Sequence, residues 1–574
     1  MTTAAQVRHN DYVRAERSEA AILGAAIGDA LGWPHEMRPR RKGAGHSEPL
    51  EYRDWIKRGG GQYQPYEERI DAGSYSDDTQ LILAVARCLT DAGAPWWERL
   101  ALQELPFWTL YERGGGGATK RAATSWMKGN APWQGKAGDV RRYFEAGGNG
   151  AAMRILPHCI ALADSESFDP VARNILADGV STHGHPRALV GALSHGFAIW
   201  TALRHRGTLG YGQLLSTTLG AVAAWSPLHP LDEFWQDWSK SARLTDYHGH
   251  WDEAVHEQKR LLEIAMHAID AGAASFDEEC LEKLGCFDKR INGSGTVTAA
   301  GALYLASRHA ADPTEGLRVS ALAHGADTDT LASMTASLLG AALGGAWLDE
   351  YVHKVQDQKL LIRTARSLID RETSSQNQIK PVTTSVVAAF KRHIITEPST
   401  GSVPLPIGPV ALIKDWDGLR SKGRTIQAHA SVGHADNGQT FFFKSFTRDA
   451  KPAPDMFDAP LEEADTTVAL RLAVTDLAIS RRFYEQGLGL RVSRERDRSI
   501  WFGRTLAIEA ADANQVVPGS VLLYIEVSNL DARFDLLSKR AAEIVGEITA
   551  KANRRQFRCL DPNGYQLEIF EKIR

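Results

Sequence analysis

The chain has 574 residues, of which 43% are hydrophobic and 24% are charged, and its 66 basic and 70 acidic residues leave a formal charge of −4. This length exceeds what one compact core usually holds, so several domains are expected. The near balance of charge excludes a strong global attraction to nucleic acid or to a membrane surface, and neither is indicated as a partner.

The cysteines and the N-terminal segment indicate a compartment. The five cysteines are scattered and never form a CxxC pair, which favours free thiols in a reducing environment. Residues 1–20 carry charges where a signal peptide has an apolar core, and no later apolar run reaches the length of a membrane-spanning helix. We therefore expect a soluble cytoplasmic protein.

Residues 15–375 are predicted to form an all-helical domain. Apolar residues recur at helical spacing in segments 20–32, 81–92, 188–203 and 330–348. Many of these residues are small, which allows helix backbones to approach closely and favours a compact multi-helix domain. An elongated helical repeat is excluded because the segments lack a fixed period.

Residues 376–460 differ in composition and are predicted to be a β-containing connector. Polar residues and turn residues replace the alanine-rich pattern, and the segment HADNGQTFFFKSF indicates a hairpin around Asn437 and Gly438.

Residues 465–574 return to a regular pattern. TVALRLAVTDL predicts a strand, AISRRFYEQGLGL a helix and turn, and SIWFGRTLAIEA and SVLLYIEVSNL further strands. A second helix, LDARFDLLSKRAAEI, precedes a hairpin that turns at residues 562–564. The pattern predicts an α+β module of two βαβββ-like halves.

Two acidic clusters stand at predicted helix starts. Asp77 and Asp78 in YSDDTQ precede one helix, and Asp327 and Asp329 in HGADTDT precede another. Either cluster alone is explained by helix capping, which is worth about 1 kcal/mol. Together they offer four carboxylates and several hydroxyls, the all-oxygen set that Mg²⁺ prefers. If they converge, divalent cations would remove their mutual repulsion, so a metal site is favoured.

Six motifs occur in the order that is typical of the ADP-ribosylglycohydrolase family, and residues 18–370 resemble that family. The motifs are GAAIGDALGWPHEM (24–37), YSDDTQ (75–80), YERGGGGATKRA (111–122), GGNGAAMRILP (147–157), STHGHP (181–186) and HGADTDT (324–330). Six co-linear motifs are far more specific than one glycine-rich loop.

The resemblance implies a helical hydrolase with two Mg²⁺ ions in a central cleft, with Mn²⁺ as a substitute. The family usually has threonine at the position of Ser76 and often glycine at that of Ala326. A serine hydroxyl still coordinates a metal. By motif position, the implied metal ligands are Ser76, Asp77, Asp78, Asp327, Asp329 and Thr330.

The resemblance also implies catalytic and substrate-binding residues. Glu36 stands where the family carries a glutamate that gates or contacts the reacting ribose, although a solvated loop glutamate is an equal alternative. Either Asp78 or Asp327 is expected to act as the base, and Asp29 is expected to stabilise packing and loop geometry. The implied substrate-binding residues are Gly115, Gly116, Thr119, Gly148, Asn149, Gly150 and His183.

The implied reaction is cleavage of an ADP-ribosyl bond through a transition state with oxocarbenium character. The expected substrate is an ADP-ribosylated protein or other target with an N-linkage such as modified arginine. The enzyme would reverse an ADP-ribosyltransferase in regulation or in immunity to a toxin, and a cognate transferase toxin is a second candidate partner. The alternative is a reader or antitoxin that binds ADP-ribose or a modified partner without turnover.

The C-terminal module resembles the vicinal oxygen chelate family, which includes glyoxalases and bleomycin-resistance proteins. The resemblance rests on AVTDLAISRRFYEQGLGL and DPNGYQLEIF. Where metal-dependent members place metal ligands, this chain has Ala469 and Leu522, and Glu568 alone remains. One carboxylate cannot build that site, so the module is expected to be a metal-free binding or interaction module. A glyoxalase-like activity is disfavoured.

Overall fold

The protein divides into two compact units, residues 1–451 and residues 452–574, each with its own hydrophobic core. The computed structural model describes residues 4–40, 48–60, 65–91, 93–370, 378–396, 401–422, 426–448, 470–503, 505–512, 516, 522–527, 529–539, 543–551 and 553–572.

The first unit is mainly helical, as predicted. Within the described residues its α-helices, α1 to α20 in chain order, are Ala4–Gly32, Asp77–Thr90, Trp96–Arg99, Leu105–Trp108, Gly117–Met127, Ala137–Phe144, Leu156–Ala161, Asp169–Val180, Pro186–Arg204, Gln213–Gly220, Val222–Trp225, Trp238–Ala242, Tyr247–Asp270, Asp277–Leu284, Gly295–Arg308, Pro313–Ala321, Thr328–Leu343, Asp349–Val352, Gln358–Asp370 and Thr384–Thr396. In the described part of the chain, no helix combines the length and the apolar character needed to cross a membrane.

Helices rich in alanine and glycine form the centre of the first unit. α1 packs along α17, and α17 also contacts α15 and α9. Nearly all residues of α15 and α17 are buried, because their small side chains allow neighbours on every side. The site described below lies where α1, α2 and α17 meet.

The first unit also contains seven strands. They are β1 (Trp55–Gly59), β2 (Tyr66–Ile70), β3 (Gly401–Pro404), β4 (Val410–Asp415), β5 (Leu419–Ser421), β6 (Ile426–Ala435) and β7 (Thr440–Arg448) in the described residues. The sequence did not predict the antiparallel β1–β2 hairpin, which interrupts the helical domain. The predicted hairpin around Asn437 and Gly438 is present as β6–β7, and Gly438 has a φ of +86°.

β3, β4, β6 and β7 form a four-stranded sheet in the order β3-β4-β6-β7, here called the accessory sheet. The ring of Phe441 lies 5.5 Å from that of Phe107 and 4.7 Å from that of Tyr111, which ties β7 to the helices. β5 leaves this sheet and pairs with β2. Much of the segment predicted as a connector is therefore packed into the first unit.

The second unit has the predicted pair of βαβββ halves. The first contains β8 (Leu470–Val474), α21 (Leu477–Arg482), β9 (Val492–Arg496), β10 (Ser499–Phe502) and β11 (Leu506–Ala510); the second contains β12 (Leu522–Glu526), α22 (Leu530–Lys539), β13 (Glu543–Lys551), β14 (Arg554–Leu560) and β15 (Gln566–Lys572). The sheet orders are β8-β11-β10-β9 and β12-β15-β14-β13, and the first and last strands of each half are parallel.

Candidate active site

The C-terminal end of α1 lies against the N-terminal end of α17 because small residues line their contact. A Cβ atom added to Gly28 would lie 2.3 Å from Ala332 O, and one added to Gly32 would lie 2.2 Å from Thr328 O. Thr328 Oγ1 also donates a hydrogen bond to Gly32 O at 2.9 Å. Only glycine permits this approach, so the residues after α1 and those at the start of α17 lie together.

Asp29 of α1 fixes the start of α2 at the same place. Asp29 is fully buried, and its carboxylate accepts hydrogen bonds from Ser76 N at 2.9 Å, Thr79 N at 3.0 Å and Thr79 Oγ1 at 2.6 Å. A carboxylate at a helix N-terminus satisfies amides that have no partner inside the helix and interacts favourably with the helix dipole. These contacts agree with the role in loop geometry expected for Asp29.

Ser76 is the N-cap of α2, and Asp77 and Asp78 are its first two helical residues. Ser76 Oγ accepts a hydrogen bond from Asp78 N at 3.4 Å. Asp78 Oδ1 accepts one from Thr330 Oγ1 at 3.3 Å, whereas the buried Oδ2 has no hydrogen-bond partner among the described residues. Ser76 therefore caps α2, and the side chains of Asp77 and Asp78 are not needed as helix caps.

Three more carboxylates gather at the start of α17 and after α1. One oxygen each of Glu36, Asp327 and Asp329 lies within 4.8 Å of the others. Asp327 Oδ2 accepts a hydrogen bond from Asn149 Nδ2 at 2.9 Å, and Asp329 Oδ1 accepts one from Thr330 N at 2.9 Å. The acidic centre, as the term is used below, consists of Glu36, Asp77, Asp78, Asp327 and Asp329.

Burial and mutual repulsion disfavour charge on the acidic centre. Burial is the largest cause and nearby carboxylates add to it, so the pKa values of Asp77, Asp78 and Asp329 lie well above their usual range. Burial, followed by Asp327, raises the pKa of Glu36 to about 7. A set of carboxylates in this environment needs added positive charge to remain ionised together.

The acidic centre has the donors that a hard divalent cation prefers. Its ligand atoms are all oxygens, Ser76 and Thr330 add neutral hydroxyls, and Oδ2 of Asp78 is buried without another partner in the described part of the chain. Mg²⁺ and Mn²⁺ favour such donors. The structure joins Asp78 to Thr330 by a hydrogen bond and places Asp327 beside Asp329. Glu36, which the resemblance implied as a ribose contact with a solvated loop residue as an equal alternative, adds a carboxylate there.

The glycine loop, residues 114–117, passes beside Asp77. Gly114 has a φ of +110°, and an added Cβ atom would lie 2.8 Å from Asp77 Oδ1. A Cβ atom added to Gly115 would lie 2.3 Å from a ring carbon of Trp108 in α4, whereas nothing lies within 4 Å of a Cβ atom added to Gly116. Of the two glycines expected to bind substrate, Gly116 has the open surroundings.

A second group of predicted substrate-binding residues surrounds His183. A Cβ atom added to Gly150 would lie 2.9 Å from His183 Cε1 and 3.3 Å from Thr119 Oγ1, and one on Gly148 would lie 3.8 Å from His183 Nε2. Burial, followed by the Arg154 guanidinium, lowers the pKa of His183 to about 3. His183 is therefore a neutral hydrogen-bonding group, and Asn149 connects this region to the acidic centre through Asp327.

No sequence pattern indicated the residues that the β1–β2 hairpin brings to this region. Lys57 Nζ lies 5.2 Å from the ring centre of Trp33, and burial, followed by Lys444, lowers the pKa of Lys57. Trp33 Nε1 is buried without a hydrogen-bond partner in the described residues and lies 3.5 Å from the Cβ position of Gly114. Lys57 stands in an alternating strand, where a lysine is typical of a solvent-exposed face.

Two histidines lie beside the acidic centre. His35 Nδ1 and His324 Nε2 are 3.1 Å apart, and Glu48 Oε2 lies 3.5 Å from His324 Nε2. Glu48 Oε1 accepts hydrogen bonds from Arg38 and Arg53. Burial, followed by Arg38, lowers the pKa of His35 to about 3. These contacts hold the segment that carries Glu36 against the segment that carries Asp327.

The family model described as ADP-ribosylglycohydrolase matches residues 10–378, which is more than half of the chain. The chain belongs to this family. A second model, described as the glyoxalase, bleomycin resistance protein and dioxygenase superfamily, matches residues 466–569. Both matches agree with the resemblances that the motifs indicated.

Two curated relatives match parts of the helical unit. An ADP-ribosylarginine hydrolase Tri1 from Pseudomonas putida is 28% identical over 25% of this chain and 36% of its own length. An ADP-ribosyl-[dinitrogen reductase] glycohydrolase from Rhodospirillum rubrum is 29% identical over 33% of this chain and 60% of its own length. The chain thus spans less than two thirds of either relative.

A solved structure titled as an ADP-ribosylglycohydrolase-related protein complex is also similar to this chain. It is 20% identical, has a TM-score of 0.40, and covers 63% of this chain and 99% of its own.

In the second unit, Glu568 is the carboxylate that remains at a metal-ligand position of vicinal oxygen chelate proteins. Glu568 is buried, and its oxygens accept hydrogen bonds from Arg554 at 2.9 Å and from Arg558 at 3.0 Å. Both arginines neutralise the carboxylate and occupy the atoms that would bind a metal. Of the other two positions, Ala469 lies outside the described residues and only the backbone of Leu522 is described.

Proposed function

We propose that the helical unit is a Mg²⁺-dependent hydrolase that removes ADP-ribose from an N-linked target, with a modified arginine as the preferred acceptor. The observation that carries this proposal is the acidic centre, whose carboxylates come from three separate segments, with Asp77, Asp78 and Asp329 buried, and whose Asp78 Oδ2 lacks a partner in the described residues. The names of the relatives support the substrate class, because one is named for hydrolysis of ADP-ribosylarginine and the other for ADP-ribosyl-[dinitrogen reductase].

The residues of the acidic centre would hold two divalent cations, with Mn²⁺ as a substitute for Mg²⁺. When bound, divalent cations supply positive charge that orients the ribose hydroxyls and makes a nearby water easier to deprotonate. Ser76, Asp77 and Asp78 approach from α2, and Asp327, Asp329 and Thr330 approach from α17. Placing these ligands at helix starts fixes them on rigid elements.

The surrounding residues bind and orient the ADP-ribosyl group. Gly116, Thr119, Gly150 and His183 offer main-chain and neutral polar groups for ribose and phosphate oxygens, while Glu36 faces the same point as the carboxylates. A neutral His183 can donate one hydrogen bond and accept another, which suits a sugar hydroxyl or a phosphate oxygen.

Of the two candidates for the base, Asp78 is favoured over Asp327. Asp78 Oδ2 has no donor among the described residues, whereas Asp327 Oδ2 already accepts a hydrogen bond from Asn149 at 2.9 Å. If the cations are held through the other oxygens of the acidic centre, Asp78 Oδ2 is left to accept a proton from water in the transition state. Asn149 instead keeps Asp327 oriented.

The biological role follows from the reaction. Release of ADP-ribose reverses an ADP-ribosyltransferase, either in regulation or in immunity to a toxin, and the partners are then the modified protein and a cognate transferase. The five cysteines are buried and free, which supports a reducing compartment such as the cytoplasm.

The test is release of free ADP-ribose from an ADP-ribosyl-arginine protein, in Mg²⁺ or in EDTA, by the full chain and by Asp78→Asn and Asp327→Asn. We expect metal-dependent release that falls by about 100-fold or more in Asp78→Asn. Asp312→Asn is the matched control, because Asp312 caps α16 through Glu315 N and asparagine caps equally well.

Two outcomes would contradict the proposal. Unchanged turnover in both aspartate variants would remove the acidic centre from the chemistry. Tight binding of ADP-ribose without release from N-linked or O-linked protein or from nucleic-acid substrates would instead identify a reader or antitoxin that acts without turnover.

A further inference from the structure

The accessory sheet lies in residues 401–448, beyond the residues 10–378 that match the family, yet it reaches the candidate active site. Near its junction with the helical unit, β5 extends the β1–β2 hairpin to three strands. Arg69 N donates a hydrogen bond to Gly418 O at 2.7 Å, which continues this pairing. The segment between β4 and β6 is therefore bonded to β2, the strand that carries Glu68.

A buried ion cluster lies at this junction. Glu68 is fully buried; its Oε2 accepts a hydrogen bond from Lys444 Nζ of β7 at 2.9 Å, and its Oε1 accepts one from Arg113 Nε at 2.8 Å. The Arg113 guanidinium lies 3.9 Å from the ring centre of Phe442, also on β7. Although burial raises it, the pKa of Glu68 is lowered to about 2 by Lys444 and Arg113. The Glu68 carboxylate is thus ionised at neutral pH.

Arg113 links this cluster to the acidic centre. Its backbone N donates a hydrogen bond to Gln80 Oε1 of α2 at 3.3 Å. The next residue, Gly114, approaches Asp77 so closely that an added Cβ would lie 2.8 Å from Asp77 Oδ1. Arg113 is therefore held by β2 and β7 through its side chain and by α2 through its backbone, directly before the glycine loop.

We propose that Lys444 is a positioning residue of the hydrolase site, which with Glu68 holds Arg113 and so sets the glycine loop against Asp77. This inference rests on the proposed function, and it also predicts that Lys444 affects the affinity for Mg²⁺. Without Lys444, one oxygen of buried Glu68 loses its donor, and the carboxylate turns toward Arg113, its remaining partner. The movement passes to Gly114 and then to the metal ligand.

The test compares the full-length chain with Lys444→Met, which keeps most of the length of the side chain and removes its charge. We expect Mg²⁺ affinity, measured by calorimetry, and kcat for ADP-ribose release each to fall about 10- to 100-fold, as for other residues that orient metal ligands. Lys444→Arg restores the charge and should recover both values. Lys414→Met is the matched control, because Lys414 lies on β4 of the same sheet and is exposed.

The two readouts separate this inference from the proposed function. If the unaltered chain releases no ADP-ribose, the proposed function fails, while loss of Mg²⁺ affinity in Lys444→Met and its recovery in Lys444→Arg still support the positioning role. If Lys444→Met lowers only the unfolding temperature and retains full Mg²⁺ affinity and kcat, the positioning role is overturned. Lys444→Leu, which also removes the donor to Glu68 but has a shorter side chain, replaces Lys444→Met if that variant does not fold, and unchanged Mg²⁺ affinity in it overturns the inference equally.

Discussion

Two buried histidines, His183 and His195, make the first unit sensitive to acid. His195 lies in α9, and its Nδ1 has no hydrogen-bond partner in the described part of the chain. Burial alone lowers the pKa of His195 to about 3, and burial, followed by Arg154, lowers that of His183 to about 3. Both side chains therefore fold in the neutral form, and protonation opposes folding.

The direction of the pH effect follows from the proton balance. An unfolded histidine has a pKa of about 6.5, so between that pH and about 3 the unfolded chain binds more protons than the folded one. The contribution of each neutral histidine to the free energy of unfolding is therefore complete above pH 6.5 and is lost as the pH falls toward 3. For a shift of this size, lowering the pH from 7 to 5 should cost about 2 kcal/mol of unfolding free energy per histidine.

His195→Leu should remove this dependence at one position. When the pH falls from 7 to 5, we expect His195→Leu to lose about 2 kcal/mol less unfolding free energy than the unaltered chain. Urea unfolding at the two pH values measures this. His248→Leu is the control, because His248 is exposed in α13. Equal pH dependence in the two variants would contradict the prediction.

At the scale of elements, the contact between α1 and α17 determines where the acidic centre forms. Gly28→Ala places a methyl group 2.3 Å from Ala332 O, so the helices must separate. Overpacking of this kind costs about 1–3 kcal/mol, and we expect that loss in unfolding free energy together with weaker Mg²⁺ binding. Gly220→Ala in α10 has open space and should show neither effect. Retained Mg²⁺ affinity in Gly28→Ala would show that the centre tolerates helix separation.

The sequence predicted the elements whose signals are local. Both helix starts could be predicted because apolar runs at helical spacing follow Ser76 to Asp78 and Asp327 to Thr330. The same short segments contain the carboxylates and hydroxyls that favour a metal site. The turn at Asn437 and Gly438 was visible for the same reason, since glycine supplies the positive φ there.

Contacts between distant segments were not predictable in this way. Glu68 and Lys444 are 376 positions apart, and each stands in a strand where charged residues usually face solvent. Their contact depends on how β7 packs against the β1–β2 hairpin, which no periodicity or turn signal indicates. The proximity of Glu36 to Asp327 and Asp329 was not predicted either, because it depends on how α1 packs against α17.

At the scale of the whole molecule, the chain joins an ADP-ribosylglycohydrolase domain to a module that matches another family. In the second unit, Arg558 and Glu568 are cross-strand partners on β14 and β15, and Arg554 binds the other carboxylate oxygen. Glu568 therefore serves the sheet as an ion-paired residue. Its two arginines are partly exposed, so solvent screening limits the contribution of these pairs.

Glu568→Gln should loosen the second unit and leave metal-dependent ADP-ribose release unchanged. Loss of the charge weakens both arginine contacts and should cost about 1–2 kcal/mol, which hydrogen–deuterium exchange would detect as faster exchange in β14 and β15. Glu543→Gln on β13 is the control, because Glu543 is exposed. If Glu568→Gln abolished a metal-dependent activity while exchange in β14 and β15 stayed slow, Glu568 would be a metal ligand, and the two arginines would have to release it when the metal binds.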